Sequence, residues 1–266
     1  MNSLLLRAVN LKKYNVALMR FVLLLTVFTT FCCARNNYSV TKIEGKEIGI
    51  TDKNQSLPEF ENTIRPYREN IDRDLNTVLA YSPQTLDKSQ GQWQTTIGNL
   101  MADAALERGN RIFATREKKN IDMCLLNFGG IRSIIPKGNV TTRTAFEIMP
   151  FENSLVVATL PGEQVLEMVN YIIAEKKAHP VAGLSFTIGK DNLPKNINIA
   201  GKPLDTRKVY YVVTSDYLIN GGDNMVFFKN STGNFDLDYK LRNVLIDYFK
   251  EKDTIPVIND IRISRE

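Results

Sequence analysis

Two glycine-rich loops carry the polar side chains that could do chemistry. In the first, Asn127 and Arg132 flank Gly129 and Gly130, directly after the apolar residues 123–126, a pattern typical of a short buried strand. The glycines let the backbone turn sharply and approach a ligand, so both polar side chains can face one crevice. A guanidinium and an amide there suit a small, polar, anionic ligand. The same residues also fit an ordinary turn with a solvated arginine.

The second loop carries Gly222 and Asp223 and lies shortly after an aromatic residue, Tyr217. Another aromatic, Phe151, stands two residues before Asn153 at the entry to a different strand. Rings from separate loops can enclose a flat base, at about 1–3 kcal/mol for each stacked base. A carboxylate such as Asp223 can accept hydrogen bonds from a sugar diol. Core packing is the alternative for each ring.

Residues for hydrolysis are scarce. His179 is the single histidine of the chain, and Cys124 is the single cysteine after residue 33. A serine or cysteine triad needs a histidine base and a nucleophile motif, and no such motif is present. A zinc site needs more histidine or cysteine ligands than remain. A two-metal phosphatase centre usually takes histidine, aspartate and asparagine ligands from several loops, and this set is absent too. The sequence therefore predicts a binding site, with His179 as a surface or packing residue.

Residues 1–33 have the composition of a secretory signal peptide. A nearly unbroken apolar run at 21–31 follows basic residues and is too short to span a bilayer. Met19 could be the true start of the chain. Cys32 or Cys33 could carry a lipid, although the same region also fits an ordinary cleavage site. We expect export, to the periplasm or as an outer-membrane lipoprotein, with membrane contact only through such an anchor.

Most of the net charge lies in this N-terminal segment. It holds four basic residues and no acid, so the formal net charge of +5 falls to +1 without it. A nearly neutral remainder lacks the electrostatic footprint of a nucleic-acid-binding protein. No nucleic-acid partner is therefore expected, and residues 34–266 are predicted to form one domain.

Helical and strand patterns intermix along the rest of the chain. The predicted helices cover residues 61–79, 92–108, 141–148, 162–173 and 238–252. The predicted strands cover residues 123–126, 155–160, 184–188, 197–199 and 209–214. Because the two types do not alternate strictly, we predict an α+β fold with mixed sheets and packed helices.

Four short motifs occur along the chain in order. They are Gly-Asn-Leu-Met-Ala-Asp-Ala at 98–104, Asn-x-Gly-Gly-Ile-Arg at 127–132, Pro-Phe-x-Asn at 150–153 and Asn-Gly-Gly-Asp at 220–223. A helix containing Ile64-x-Pro66-Tyr67 precedes them. This series resembles the 5'-nucleotidase C-terminal domain family, and the resemblance covers roughly residue 38 to the end.

In that family this domain binds the nucleotide, while a separate N-terminal metallophosphoesterase domain holds two metals and performs the chemistry. The resemblance implies that Phe151 and Tyr217 stack on the base and Asp223 holds the ribose. It also implies that Asn127 contacts the base and that Arg132 lies near the sugar-phosphate side. No catalytic residue, metal ligand or cofactor is expected in this chain, because the divalent metals belong to the partner domain. The predicted substrate-binding residues are Asn127, Gly129, Gly130, Arg132, Phe151, Asn153, Tyr217, Gly222 and Asp223.

The sequence departs from the family pattern in four respects. It contains no metal domain. Asn224 replaces a usual glycine, which is acceptable because asparagine tolerates a left-handed backbone. Thr96 stands where some relatives have an arginine, which leaves one contact to an anion open. Tyr217 replaces the common phenylalanine and adds a hydroxyl that needs a hydrogen-bond partner.

We therefore expect an exported nucleotide-binding subunit of a split 5'-nucleotidase. Hydrolysis of nucleotides, as in nucleotide catabolism, would require a separately encoded metallophosphoesterase subunit. The alternative is a solitary envelope protein that binds nucleosides or nucleotides without catalysis. A stand-alone phosphatase with carboxylate-held metals is less favoured by the ligand inventory.

Overall fold

The structure is a computed structural model that describes residues 11–31, 39–51 and 53–266. The chain divides into two compact units, Met1–Ser56 and Leu57–Glu266. The domain boundary predicted at residue 34 stays a prediction, because it concerns removal of a leader and not the packing of the chain.

The first unit contains helix α1 (Leu11–Phe31), and residues 39–51 form neither helix nor strand. In the described ranges, no helix is both long and apolar enough to cross a membrane. The two cysteines predicted as lipid-attachment sites, Cys32 and Cys33, lie outside the described residues. The signal peptide therefore stays a prediction.

The second unit holds the remaining secondary structure. Its helices are α2 (Pro58–Leu75), α3 (Thr96–Glu117), α4 (Thr142–Ile148), α5 (Gly162–Glu175), α6 (Asp216–Ile219) and α7 (Leu241–Lys252). Its strands are β1 (Val78–Ser82), β2 (Met123–Leu125), β3 (Gly138–Thr141), β4 (Ser154–Pro161), β5 (Val181–Ala182), β6 (Leu184–Ile188), β7 (Pro194–Ile199), β8 (Lys202–Pro203), β9 (Val209–Ser215), β10 (Asn234–Lys240) and β11 (Ile263–Arg265). Short 3₁₀ turns lie at Phe128–Gly130, Gly222–Asn224 and Val226–Asn230.

The main sheet has five strands in the order β10-β4-β9-β2-β5. β2 runs parallel to β9, whereas the other neighbouring pairs are antiparallel. A second sheet has the order β11-β6-β7-β8, with β11 parallel to β6, and β1 pairs with β3. These mixed sheets, combined with packed helices, confirm the predicted α+β class.

The main sheet is covered on both faces. Cys124 packs in a cluster with residues of α3 and α7, whereas its neighbours Met123 and Leu125 pack in a second cluster with α5. Val213 and Val212 of the adjacent strand divide in the same way. Successive residues of a strand point to opposite faces, so a strand buried on both sides needs a continuous apolar run. This explains why residues 123–126 are apolar throughout.

Several predicted boundaries are wrong for identifiable reasons. The predicted helix 61–79 ends at Leu75, because Val78 and Leu79 pair with β3 as part of β1. The predicted helix 238–252 begins only at Leu241, because residues 234–240 form strand β10 against β4. The predicted helix 92–108 in fact runs over Thr96–Glu117.

Gly109 explains why α3 is longer than the sequence predicts. A Cβ at this position would lie 3.3 Å from Val213 and 3.4 Å from both Ile121 and Leu237. The absence of a side chain therefore lets α3 pack closely against the sheet, and Gly109 does not end the helix. The helix ends instead after Glu117, where Lys118 adopts a left-handed conformation with φ of 56°.

Candidate functional site

Strand topology brings the predicted site loops to one edge of the main sheet. β2 and β9 are parallel, so the residues after their carboxyl ends, Asn127 and Tyr217, lie on the same side. β4 is antiparallel to β9, with Leu155 opposite Ser215, so the segment that enters β4 meets them there. This segment carries Phe151. The crevice at this edge is the kind of place where α/β sheets bind ligands.

A cavity of about 360 Å³ opens at this edge. It contains eight of the nine predicted site residues, together with Met149, Ser215 and Leu241. The ninth, Gly222, lines a second depression that also includes Asn153 and Tyr217. The eight that line the cavity are Asn127, Gly129, Gly130, Arg132, Phe151, Asn153, Tyr217 and Asp223.

The carboxylate of Asp223 joins the two glycine-rich loops. Asn127 Nδ2 donates a hydrogen bond to Asp223 Oδ2 over 2.9 Å, and the hydroxyl of Tyr217 donates to Oδ1 over 2.9 Å. The backbone amide of Asp223 also donates to the Tyr217 hydroxyl over 3.2 Å. The hydroxyl of Tyr217 thus has its partner within the site, and the acid is fixed from two directions.

Asp223 occupies a backbone conformation that few residues adopt. Its φ is 51°, in the left-handed region, which asparagine and aspartate tolerate better than most residues. The hydroxyl of Tyr171 donates to the Asp223 carbonyl oxygen over 2.5 Å. Burial, together with Glu175 and Asp223, raises the pKa of Tyr171 to about 12, so this hydroxyl stays protonated as a donor.

Two site glycines are required by the side chains that pack on them. A Cβ at Gly222 would lie 2.5 Å from the ring of Tyr217, and a Cβ at Gly130 would lie 2.8 Å from Asn127 Oδ1. Any larger residue would displace these side chains. The glycines therefore position the polar groups of the cavity as well as turning the chain.

The two aromatic side chains of the site are not core residues. Phe151 is 42% exposed and Tyr217 is 46% exposed, and both line the cavity. Large apolar rings in this setting offer flat faces to a ligand. The guanidinium of Arg132 lies 6.0 Å from the centre of the Phe151 ring.

The loop that carries Phe151 is held by an arginine that sequence reasoning missed. Arg242, from α7, donates to the carbonyl oxygens of Met149, Pro150 and Phe151 over 3.0–3.2 Å. It also donates to the Glu152 carboxylate over 2.6 Å, and its guanidinium lies 4.2 Å from the centre of the Phe146 ring. Arg242 is about 90 residues away along the chain, and no local pattern marks it.

Comparison with known proteins gives a direct family match. The family model described as "5'-nucleotidase, C-terminal domain" matches residues 77–230, which is more than half of the chain. The chain belongs to the 5'-nucleotidase C-terminal domain family. The matched range includes both glycine-rich loops, Phe151 and Tyr217.

Curated relatives of this family are similar along most of the chain. An apyrase from Tabanus yao is 22% identical over 253 residues, which cover 85% of this chain and 45% of the relative. A 5'-nucleotidase from Vibrio parahaemolyticus is 28% identical over 202 residues, which cover 73% of this chain and 34% of the relative. The chain therefore spans less than half the length of these relatives.

Solved structures show the same fold. The 5'-nucleotidase precursor from Thermus thermophilus superposes with a TM-score of 0.65 at 24% identity, covering 77% of this chain and 42% of that one. The NAD nucleotidase of Haemophilus influenzae gives a TM-score of 0.56 at 17% identity, covering 79% of this chain and 42% of that one. The α+β architecture is thus that of the 5'-nucleotidase C-terminal domain.

The divalent metals that the family implies do not fit the described part of this chain. Among its residues, no group of three or more histidine, cysteine, aspartate or glutamate side chains could hold a metal ion. The acid of the cavity, Asp223, is engaged by Asn127 and Tyr217. The cavity offers stacking faces, a fixed carboxylate and positive charge.

His179, interpreted from sequence as a surface or packing residue, is buried behind the first glycine-rich loop. It is 2% exposed, and its Nδ1 accepts a hydrogen bond from the Phe128 amide over 3.2 Å. Its ring centre lies 5.7 Å from that of Tyr171. Burial lowers the pKa of His179 to about 4, despite the opposing charge of Asp223. A neutral imidazole with an acceptor at Nδ1 therefore supports the loop from behind.

Proposed function

We propose that the cavity binds the nucleoside part of a nucleotide and that this chain is the nucleotide-binding subunit of a split 5'-nucleotidase. The observation that carries the proposal is the convergence of Asp223, Asn127 and two exposed rings in one cavity. Phe151 and Tyr217 stack on the base, at about 1–3 kcal/mol for each ring. A cavity of about 360 Å³ lies within the range of small-ligand sites.

Asp223 takes the ribose hydroxyls in this proposal. Each carboxylate oxygen has two acceptor positions, and the structure fills one on each oxygen, from Asn127 and Tyr217. The remaining positions can accept from the two hydroxyls of a sugar diol. Asn127 then contacts the base with its amide oxygen, and Arg132 lies on the sugar-phosphate side. Asn153 and the glycines Gly129, Gly130 and Gly222 complete the proposed substrate-binding set.

Hydrolysis in this proposal requires a metallophosphoesterase subunit encoded separately. The support is that the described residues offer no cluster of metal ligands. One relative is named a cell wall protein, from Listeria monocytogenes, at 29% identity over 169 residues, covering 58% of this chain and 21% of the relative. This agrees with a proposed exported location.

Helix α2 offers a surface for such a partner. Apolar residues recur along it at spacings of three and four, and each is between 47% and 71% exposed. We call this row the α2 stripe; it consists of Leu57, which directly precedes the helix, and of Phe60, Ile64, Tyr67 and Ile71. No residue of α2 is buried. The helix forms an ion pair with the rest of the unit, between Asp72 and Arg143 over 2.8 Å. A soluble helix normally turns its apolar face inward.

The position and charge of α2 favour the metallophosphoesterase subunit as the occupant of the α2 stripe. The helix ends at Leu75, just before the family match begins at residue 77. In the family, the metallophosphoesterase domain precedes this one. With five acidic and three basic residues, α2 has a net charge of −2, which opposes binding to an anionic membrane surface.

Binding and hydrolysis can be tested separately with the purified protein. We expect isothermal titration calorimetry to detect adenosine and AMP, and we expect no phosphate release from AMP with manganese, magnesium or zinc. Release should appear when a metallophosphoesterase protein encoded beside this one is added. Clear turnover by the chain alone would contradict a split enzyme, and binding of neither ligand would overturn the proposed function.

Two matched phenylalanine variants separate the cavity from the α2 stripe. Phe151→Ala should weaken adenosine binding by about 1–3 kcal/mol if the ring stacks on the base. Phe60→Ala makes the same change on α2 and should leave adenosine binding unchanged while weakening the activity gained from the partner. The alternative, a solitary binding protein, predicts no phosphate release with any such partner and no effect of Phe60→Ala.

A further inference from the structure

Lys88 reaches the first glycine-rich loop from a distant part of the chain. It lies in the segment between β1 and α3, and its Nζ donates to the Ile131 carbonyl oxygen over 2.6 Å. The same ammonium lies 4.5 Å from the centre of the Phe128 ring. Ile131 directly precedes Arg132, so the side chains of Lys88 and Arg132 lie at the same turn of the backbone.

Neither cation is neutralised by an acid. Among the described residues, no carboxylate forms an ion pair with Lys88 or Arg132, and the guanidinium of Arg132 donates to the Gly129 carbonyl oxygen over 3.4 Å. Burial, followed by the charge of Arg132, lowers the pKa of Lys88. Like charges held together without a counterion leave a local excess of positive potential.

The acid next to Lys88 in the sequence is engaged elsewhere. Asp87 Oδ1 accepts hydrogen bonds from the amide and the hydroxyl of Ser89, each over 2.9 Å. The Asp87 backbone in turn bonds to the hydroxyl of Thr96, the first residue of α3, over 3.3–3.4 Å. The segment that carries Lys88 is thus fixed, with its own acid turned to Ser89.

We propose that Lys88 adds a second positive charge beside Arg132 at the Gly129–Gly130 turn and thereby attracts the phosphate of a nucleotide bound in the cavity. Lys88 then determines specificity for phosphorylated ligands over free nucleosides. This inference rests on the proposed function. Lys88 does not line the cavity itself, but charges act over a Debye length of about 8 Å at physiological salt. A phosphate dianion supplies the negative charge that the turn lacks.

The test is calorimetric titration of the full chain with AMP and with adenosine. In Lys88→Met, AMP affinity should fall by up to about tenfold, since a positive charge near the phosphate is removed, and adenosine affinity should change less than about twofold. Lys88→Arg should retain AMP binding. The control is Lys137→Met, which removes the same charge from an exposed position in the following turn and should change neither affinity.

A salt series adds a second measurement. The AMP affinity of the unmodified protein should fall as sodium chloride rises, and this dependence should be weaker in Lys88→Met. An equal loss of AMP and adenosine binding would show that Lys88 only supports the loop and would overturn the inference. So would an unchanged AMP affinity. Adenosine binding without any effect of Lys88 would leave the proposed function standing, whereas binding of neither ligand would remove both.

Discussion

Arg262 and Arg132 occur in almost the same local sequence, Ile-Arg followed by small or apolar residues, but their surroundings differ completely. Arg262 is 7% exposed and pairs with Asp103 over 2.7 Å and with Asp260 over 2.9 Å. It also donates to the backbone carbonyl oxygens of Val181 and Asn99. Arg132 is exposed beside the cavity and has no acid partner among the described residues.

A structural cation differs from one available to a ligand in how its donors are used. The donors of Arg262 are used within the fold, which is the condition for burying a charge. Arg242 follows the same rule, with Glu152 and three carbonyl oxygens. Arg132 and Lys88 have unused donors and, among the described residues, no acid partner, so their positive charge is available to a ligand.

Arg262→Met should have the largest effect on stability. Removing one member of a buried ion pair leaves Asp103 without its partner and two carbonyl oxygens without their donor. We expect the free energy of unfolding to fall by about 3–5 kcal/mol, as measured by urea denaturation. Arg265→Met, three residues later at an exposed position, is the control and should change it by less than about 0.5 kcal/mol. Equal stability of the two variants would refute the structural role.

His179 sharpens the comparison, because the loop that bears Arg132 rests on a group that must stay neutral. Its folded pKa of about 4 lies below the usual value of 6.5. The free energy of unfolding is therefore at its full value with respect to His179 above pH 6.5. It falls by about 3 kcal/mol as the pH drops towards 4, because the unfolded chain then binds a proton that the buried imidazole does not. Urea denaturation between pH 7 and pH 4 should show this loss, and His179→Asn should reduce it.

The chain has a single histidine, so the titration can be followed directly. The imidazole resonances in proton NMR spectra of the folded protein should still be in their neutral positions at about pH 5. An imidazole that titrates near its usual pKa of about 6.5 in the folded state would contradict a buried neutral His179.

The residues of the cavity could be nominated from sequence because each is tied to a local signal. Asn127 and Arg132 flank a double glycine after an apolar run, and Asp223 follows another double glycine. Their convergence then follows from strand order, since the loops after β2 and β9 lie on one sheet edge. Local signals of this kind can be recognised in a single sequence.

The supporting residues could not be found in this way. Lys88 bonds to a carbonyl 43 residues away, and Arg242 bonds to Phe151 from 91 residues away. Asp103 pairs with Arg262 from 159 residues away. A polar contact between distant segments leaves no periodicity or spacing in the sequence, so only the folded chain reveals it.

Arg132→Met should produce the reverse of the Arg262 result, with the smallest effect on stability. The side chain is exposed and makes one long hydrogen bond, to Gly129, so the free energy of unfolding should change by less than about 0.5 kcal/mol. AMP affinity should nevertheless fall about tenfold, since a charge facing the phosphate is removed. Urea denaturation and calorimetry on the same preparations measure both quantities. If Arg132→Met destabilised the fold as much as Arg262→Met does, Arg132 would have a structural role. The lack of an acid partner would then not identify a cation that binds a ligand.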